Sequence, residues 1–160
     1  MILIGFMGSG KTTIGTMLAN QRNVPFIDLD EYIVKQTGQS IPEIFDADGE
    51  IGFREREFEA LDSCINKDAI ISTGGGIVTY DKSYVRLKNT NRKIIYLETP
   101  FDISYNRIKN DTNRPLVQME KEKLKVIYES RLNLYQTLSD CTINTEQTKS
   151  EIVHEINKIK

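Results

Sequence analysis

The chain has 160 residues and a formal net charge of −2, with 39% hydrophobic and 28% charged residues. This length predicts one domain with a sizeable core, and the mildly acidic balance argues against a nucleic-acid binder, whose surface would be basic. No apolar run approaches the ~20 residues of a membrane helix, and the N-terminal residues carry neither the basic region nor the cleavage site of a signal peptide.

In chain order, short apolar β-branched runs alternate with longer helical patterns. Strands are predicted at 2–4, 24–28, 69–72, 93–97 and 141–144. Helices are predicted at 11–20, 30–36, 40–46, 50–65, 81–88, 101–109, 119–136 and 149–158. Strands separated by helices imply βαβ units, hence a three-layer α/β domain spanning 1–160, with a five-stranded parallel sheet and helices on both faces. Cys64 and Cys141 lie far apart without ligand-like neighbours, which points to reduced thiols in a cytosolic protein. His154 is expected on the solvent side of the last helix.

The first strand runs into "GFMGSGKTT", which fits G-x-x-x-x-G-K-[ST] between a strand and a helix. Such a loop turns backbone amides toward phosphate oxygens, and the helix N-terminus adds partial positive charge. Lys11 is placed to reach the outer phosphates and Thr12 to offer a hydroxyl to Mg²⁺. Gly8, Ser9, Gly10, Lys11, Thr12 and Thr13 are therefore candidate nucleotide contacts. Two motifs suggest a GTPase switch, but weakly. "DADG" (46–49) precedes a helix instead of ending a strand, and "NKDA" (66–69) puts Ala69 where a guanine-reading carboxylate is needed. An EF-hand beginning at Asp46 would place Ile51 where the sharp turn requires glycine.

"FIDLDEY" sets Asp28 and Asp30 two residues apart after the second strand. Period-2 geometry predicts that both face the ligand edge of the sheet, with Leu29 turned away. One carboxylate suits Mg²⁺; the other suits accepting or orienting a substrate hydroxyl proton. The third strand ends in Ser72, leaving Asp28 as the metal carboxylate. An aspartate here also reads simply as the N-cap of the next helix.

"GEIGFREREFEAL" carries Arg54, Arg56 and Glu57 on a helix whose Phe53, Phe58, Leu61 and Ile65 form an apolar stripe. Charges of this kind ordinarily make a solvated face. "STGGGIV" supplies Gly74, Gly75 and Gly76, whose bare backbone a ligand can approach closely. "NRPL" puts Arg114 in a polar segment, 109–118, suited to swing over phosphates. "ESRLNLY" adds Arg131, with Leu132 and Tyr135 expected to pack inward.

With these motifs in this order over nearly its whole length, the chain resembles the shikimate kinase family. The resemblance implies a P-loop kinase fold with sheet order 2-3-1-4-5, as in the nucleoside monophosphate kinase group, and a lid loop. It implies transfer of the γ-phosphoryl of ATP to the 3-hydroxyl of shikimate, with Mg²⁺. By the same likeness Asp30 contacts the substrate hydroxyls, and Arg54 and Arg131 hold the carboxylate. Gly75 and its neighbours bond ring hydroxyls, and Glu57 orients Arg54. Thr12 and Asp28 form the metal shell, Arg107 flanks the adenine, and Lys11 and Arg114 act on the phosphates. The acceptor-binding segment falls at about 29–62. Gluconate-type kinases share the loop and fold but not the "FIDLD…GFRE…GGG" series. Where many relatives carry a basic residue beside the adenine, this chain has Gln147 and Thr148. It also opens on the first strand without the short leader of many relatives. No long apolar stripe suggests an interface, so a monomer is expected.

Overall fold

The structure, a computed structural model, describes residues 1–111, 116 and 119–159. Strands β1 (Ile2–Ile4), β2 (Phe26–Asp28), β3 (Ile70–Ser72), β4 (Ile94–Glu98) and β5 (Cys141–Asn144) alternate with helices. The helices are α1 (Lys11–Arg22), α2 (Leu29–Thr37), α3 (Ile41–Cys64), α4 (Asp81–Lys88), α5 (Phe101–Ile108), α6 (Lys121–Leu138) and α7 (Lys149–Asn157). A short 3₁₀ turn occupies Ile77–Thr79. Among the described residues the five strands form one parallel sheet ordered β2-β3-β1-β4-β5, as expected.

Both faces of this sheet are covered, which is why the strands read as continuous apolar runs rather than alternating ones. Period 2 divides them. Ile2, Ile4, Ile71, Ile94 and Tyr96 join a core with side chains of α2 to α6, whereas Leu3, Ile70, Ile95 and Leu97 join a second core with α1 and α7. Complete burial of Leu3 and Leu18 contributes about 1.5–3 kcal/mol each. Among the described residues no helix is long and apolar enough to cross a membrane.

Local signals start and stop the helices where the chain must turn. Ser40 and Glu43 form a capping box on α3, and Thr148 and Glu151 do the same on α7. Gly38 ends α2 with φ 69°. The helices expected at 40–46 and 50–65 are both present within α3 and meet at Gly49, whose non-helical φ 68° and ψ −174° are open to glycine. "DADG" is thus the turn between the two helical halves, braced by an ion pair of 2.6 Å between Arg56 and Asp48. Cys64 and Cys141 are free thiols, and His154 is exposed on α7.

Candidate active site

The carboxyl ends of the strands open into a cavity of about 590 Å³. The loop after β1, the start of α2, the kinked half of α3, the glycines after β3 and α6 all border it. Parallel strands put every one of these connections at the same edge.

The loop between β1 and α1 bends through Gly5, Gly8 and Gly10, all at positive φ. Close packing adds a second constraint. A Cβ on Gly5 would lie 2.7 Å from the Leu97 carbonyl oxygen, and one on Gly8 would lie 2.6 Å from that of Ser104. Lys11 is buried, and its ammonium donates to Gly5 O at 2.7 Å, Phe6 O at 2.9 Å and Ser9 Oγ at 3.2 Å, which ties the loop around the charge. Arg107 of α5 donates to Gly8 O at 2.9 Å and also borders the cavity, so it touches the phosphate loop itself. Arg114 lies outside the described residues, as do 112, 113, 115, 117 and 118 of the expected lid.

Asp28 caps a helix and also reaches the residue expected beside it in a metal shell. Its Oδ1 caps α2, accepting from the amides of Asp30 at 3.1 Å and Glu31 at 3.5 Å. Its Oδ2 accepts from Thr12 Oγ1 at 2.9 Å. Two hard oxygen ligands therefore meet beside the phosphate loop, a donor set that suits Mg²⁺. Among the described residues no group of three or more His, Cys, Asp or Glu could hold a metal ion. Two protein oxygens match the way Mg²⁺ keeps waters and phosphate oxygens for most of its shell. The strand-period argument for Asp30 needs correcting. β2 ends at Asp28, and Asp30 sits in the first turn of α2, which turns its side chain to the cavity while Leu29 enters the core.

On α3 the generic reading of these charges as a solvated face does not hold. Arg54 is 6% exposed and Glu57 is fully buried, so they form no solvated face. Arg54 Nη1 donates to Glu57 Oε2 at 2.7 Å, and its guanidinium lies over the Phe53 ring at 5.3 Å. Phe53 packs in turn on Phe45 across the kink, at 4.7 Å between centroids. Burial lifts the Glu57 carboxyl to about pH 7, against the pull of Arg54, and the Asp30 carboxylate lifts it further. Arg56, by contrast, stays on the half-exposed side.

Arg131 of α6 is buried at 4% exposure, with its guanidinium over the Phe6 ring at 5.9 Å. Its Nε and Nη1, like Arg54 Nε, have no acceptor among the described residues. A buried guanidinium with unmatched N–H groups is costly unless an anion completes it. Two of them border one cavity, and a planar carboxylate, which Arg binds in a bidentate manner, is a group of the right chemistry to complete them.

Gly74, Gly75 and Gly76 line the cavity between these groups. They are required for space as much as for backbone access. A Cβ on Gly74 would lie 2.3 Å from Glu57 Oε1, one on Gly75 2.9 Å from the Met7 amide nitrogen, and one on Gly76 2.0 Å from Arg54 Nη2. Sequence reasoning missed the apolar wall made by Ile41, Phe45, Phe53 and Leu116. It also gave Tyr135 a packing role only. Gln147, which stands where many relatives carry a basic residue, donates to Asn144 O and to the Glu155 carboxylate of α7.

Comparison with known proteins places the chain in a family. The family model described as shikimate kinase matches residues 7–160. A shikimate kinase of Staphylococcus haemolyticus is 41% identical over 157 residues, 98% of this chain and 91% of the relative. One from a Sulfurihydrogenibium species is 38% identical, covering 99% of this chain and 96% of the relative. Among solved structures, shikimate kinase from Acinetobacter baumannii in complex with shikimate superimposes with a TM-score of 0.92 at 37% identity, covering 99% of this chain and 94% of that one. A deoxyadenosine kinase from M. mycoides reaches 0.62 at 18% identity, covering 98% and 96%, and shares the fold alone.

Proposed function

The chain belongs to the shikimate kinase family and is an ATP-dependent kinase; from that premise we propose that it transfers the γ-phosphoryl group of ATP to the 3-hydroxyl of shikimate. The products are ADP and shikimate 3-phosphate, on the route to chorismate and the aromatic amino acids. One observation carries the choice of acceptor. Two buried guanidiniums, Arg54 and Arg131, border the same cavity as Asp30 and the glycine amides, next to the phosphate loop. A small carboxylated polyol needs this combination.

In this reading the loop amides and Lys11 take the phosphates, Lys11 exchanging its carbonyl partners for phosphate oxygens. Thr12 and Asp28 would hold Mg²⁺, which neutralises charge on the phosphates. Arg54 and Arg131 clamp the carboxylate, with Glu57 fixing Arg54. Asp30 accepts or orients the proton of the attacking hydroxyl. Arg114 closes over the phosphates from a lid at 109–118, and Arg107 flanks the adenine. The acceptor-binding segment is 29–62, and the enzyme works as a cytoplasmic monomer. Phosphoryl transfer asks little covalent chemistry of the protein, so positioning and charge account for most of the rate. ADP release in a coupled assay tests the reading. Turnover that depends on shikimate supports it, and turnover with gluconate alone overturns it.

A further inference from the structure

Each carbonyl in the glycine triplet has its own partner. Gly74 O accepts from the Ile77 amide at 3.3 Å, and Gly76 O from the Thr79 amide at 3.0 Å and the Thr79 hydroxyl at 2.8 Å. Both bonds lie within the following 3₁₀ turn. Gly75 O is different, because its hydrogen bond comes from the Tyr135 hydroxyl on α6, 60 residues along the chain. No hydrogen bond is donated by the amides of Gly74, Gly75 or Gly76 to an acceptor among the described residues, and the three residues border the cavity.

Tyr135 is fully buried and stacks on Tyr96 of β4 at 5.1 Å, with 22° between the rings. Packing against the sheet therefore fixes where its hydroxyl points. Arg131 lies one turn earlier on α6, and its charge opposes the rise that burial gives the Tyr135 hydroxyl. In a trans peptide the carbonyl of one residue and the amide of the next point in opposite directions. Between two glycines no side chain resists rotation of that unit. Whatever holds Gly75 O therefore decides which way the Gly76 amide faces.

We propose that Tyr135 is a positioning residue for the acceptor: its hydroxyl, by donating to Gly75 O, keeps the Gly75–Gly76 peptide turned with its amide toward the acceptor hydroxyls and ties that loop to the carboxylate clamp at Arg131. This rests on the acceptor reading above. The ring supplies the packing and the oxygen supplies the orientation, so the two contributions separate in Tyr135→Phe. Without the oxygen the half-buried Gly75 carbonyl loses its partner, and the peptide gains by rotating to find another donor.

The test is steady-state kinetics and melting of Y135F. KM for shikimate is expected to rise about tenfold while KM for ATP stays within about twofold and Tm within a few degrees, as for the loss of one buried hydrogen bond. An unchanged shikimate KM, or a parallel rise of both KM values with a falling Tm, overturns the proposal in favour of packing alone. Should Y135F fail to fold, NMR of the unsubstituted enzyme decides. The Gly76 amide and Tyr135 Cζ resonances are expected to move on saturation with shikimate and to stay with a non-hydrolysable ATP analogue. Resonances unmoved by bound shikimate refute the role. Failure of the unsubstituted enzyme to turn over shikimate at all would count against the acceptor reading instead.

Discussion

Gly76→Ala isolates one contact that holds the acceptor clamp in place. Gly76 has φ −98° and ψ 0°, which alanine adopts without strain, so any effect is steric. The new Cβ would lie 2.0 Å from Arg54 Nη2, 2.6 Å from Cζ and 2.7 Å from Nη1. Ordinary contact begins near 3.4 Å, so the guanidinium must retreat by about 1.4 Å. It cannot do so and keep its 2.7 Å hydrogen bond to Glu57. Losing a charge-assisted bond of this kind costs about 1.5–3 kcal/mol, or roughly 10- to 150-fold. Misplacing a clamp by about 1 Å predicts a loss of similar size. The expected result is a fall of that order in kcat/KM for shikimate, with KM for ATP within about twofold, measured by coupled ADP release. The three atoms nearest the methyl all belong to the end of the Arg54 side chain, so the variant should fold. A shikimate KM within twofold of the parent would refute the reasoning, because it would mean that Arg54 has room to spare.

Three further outcomes follow from the same geometry. Asp30→Ala should lower kcat about 100-fold or more if its carboxylate takes or orients the hydroxyl proton; near-normal kcat in a folded variant removes that role. Asp28→Ala should raise the Mg²⁺ concentration needed for half-maximal rate and also lower stability by about 1 kcal/mol through loss of the α2 cap, so a Mg²⁺ titration and a urea melt together separate its two oxygens. Burial raises the Glu57 carboxyl from 4.5 to about 7. The folded state therefore holds a proton there that the unfolded chain has lost. This contribution is fully present below pH 4.5 and disappears as pH rises through 7, about 3 kcal/mol in all. Urea melts at pH 5 and pH 8 should show it, and Glu57→Gln should flatten this part of the profile; equal slopes in parent and variant would exclude Glu57 as the source.

The site was readable where its parts are close in sequence. The phosphate loop needs only glycines at three positions and a lysine and threonine at the helix start, all within one turn of chain. The helix caps at Ser40 and Thr148 are equally local, since each bonds a residue three positions away. Asp30 was expected at the ligand edge from a strand period, and it borders the cavity from the first turn of a helix instead. Two residues along a strand and the first turn of a helix both bring a side chain back to the same edge, and the spacing alone does not distinguish them.

The sequence by itself determined the strand–helix alternation, the phosphate grip and the residue types that an anionic polyol needs. It did so because period, capping and turn chemistry act over a few residues. Only the tertiary structure decided that Arg54 and Glu57 are buried, because a helical spacing tells which residues share a face and not what covers it. Only the fold showed that the three glycines make room for Glu57, the phosphate loop and Arg54 in turn. The fold also placed the Tyr135 hydroxyl on Gly75 O. Those contacts join residues far apart in the chain, and they exist only once the sheet has brought its carboxyl ends together.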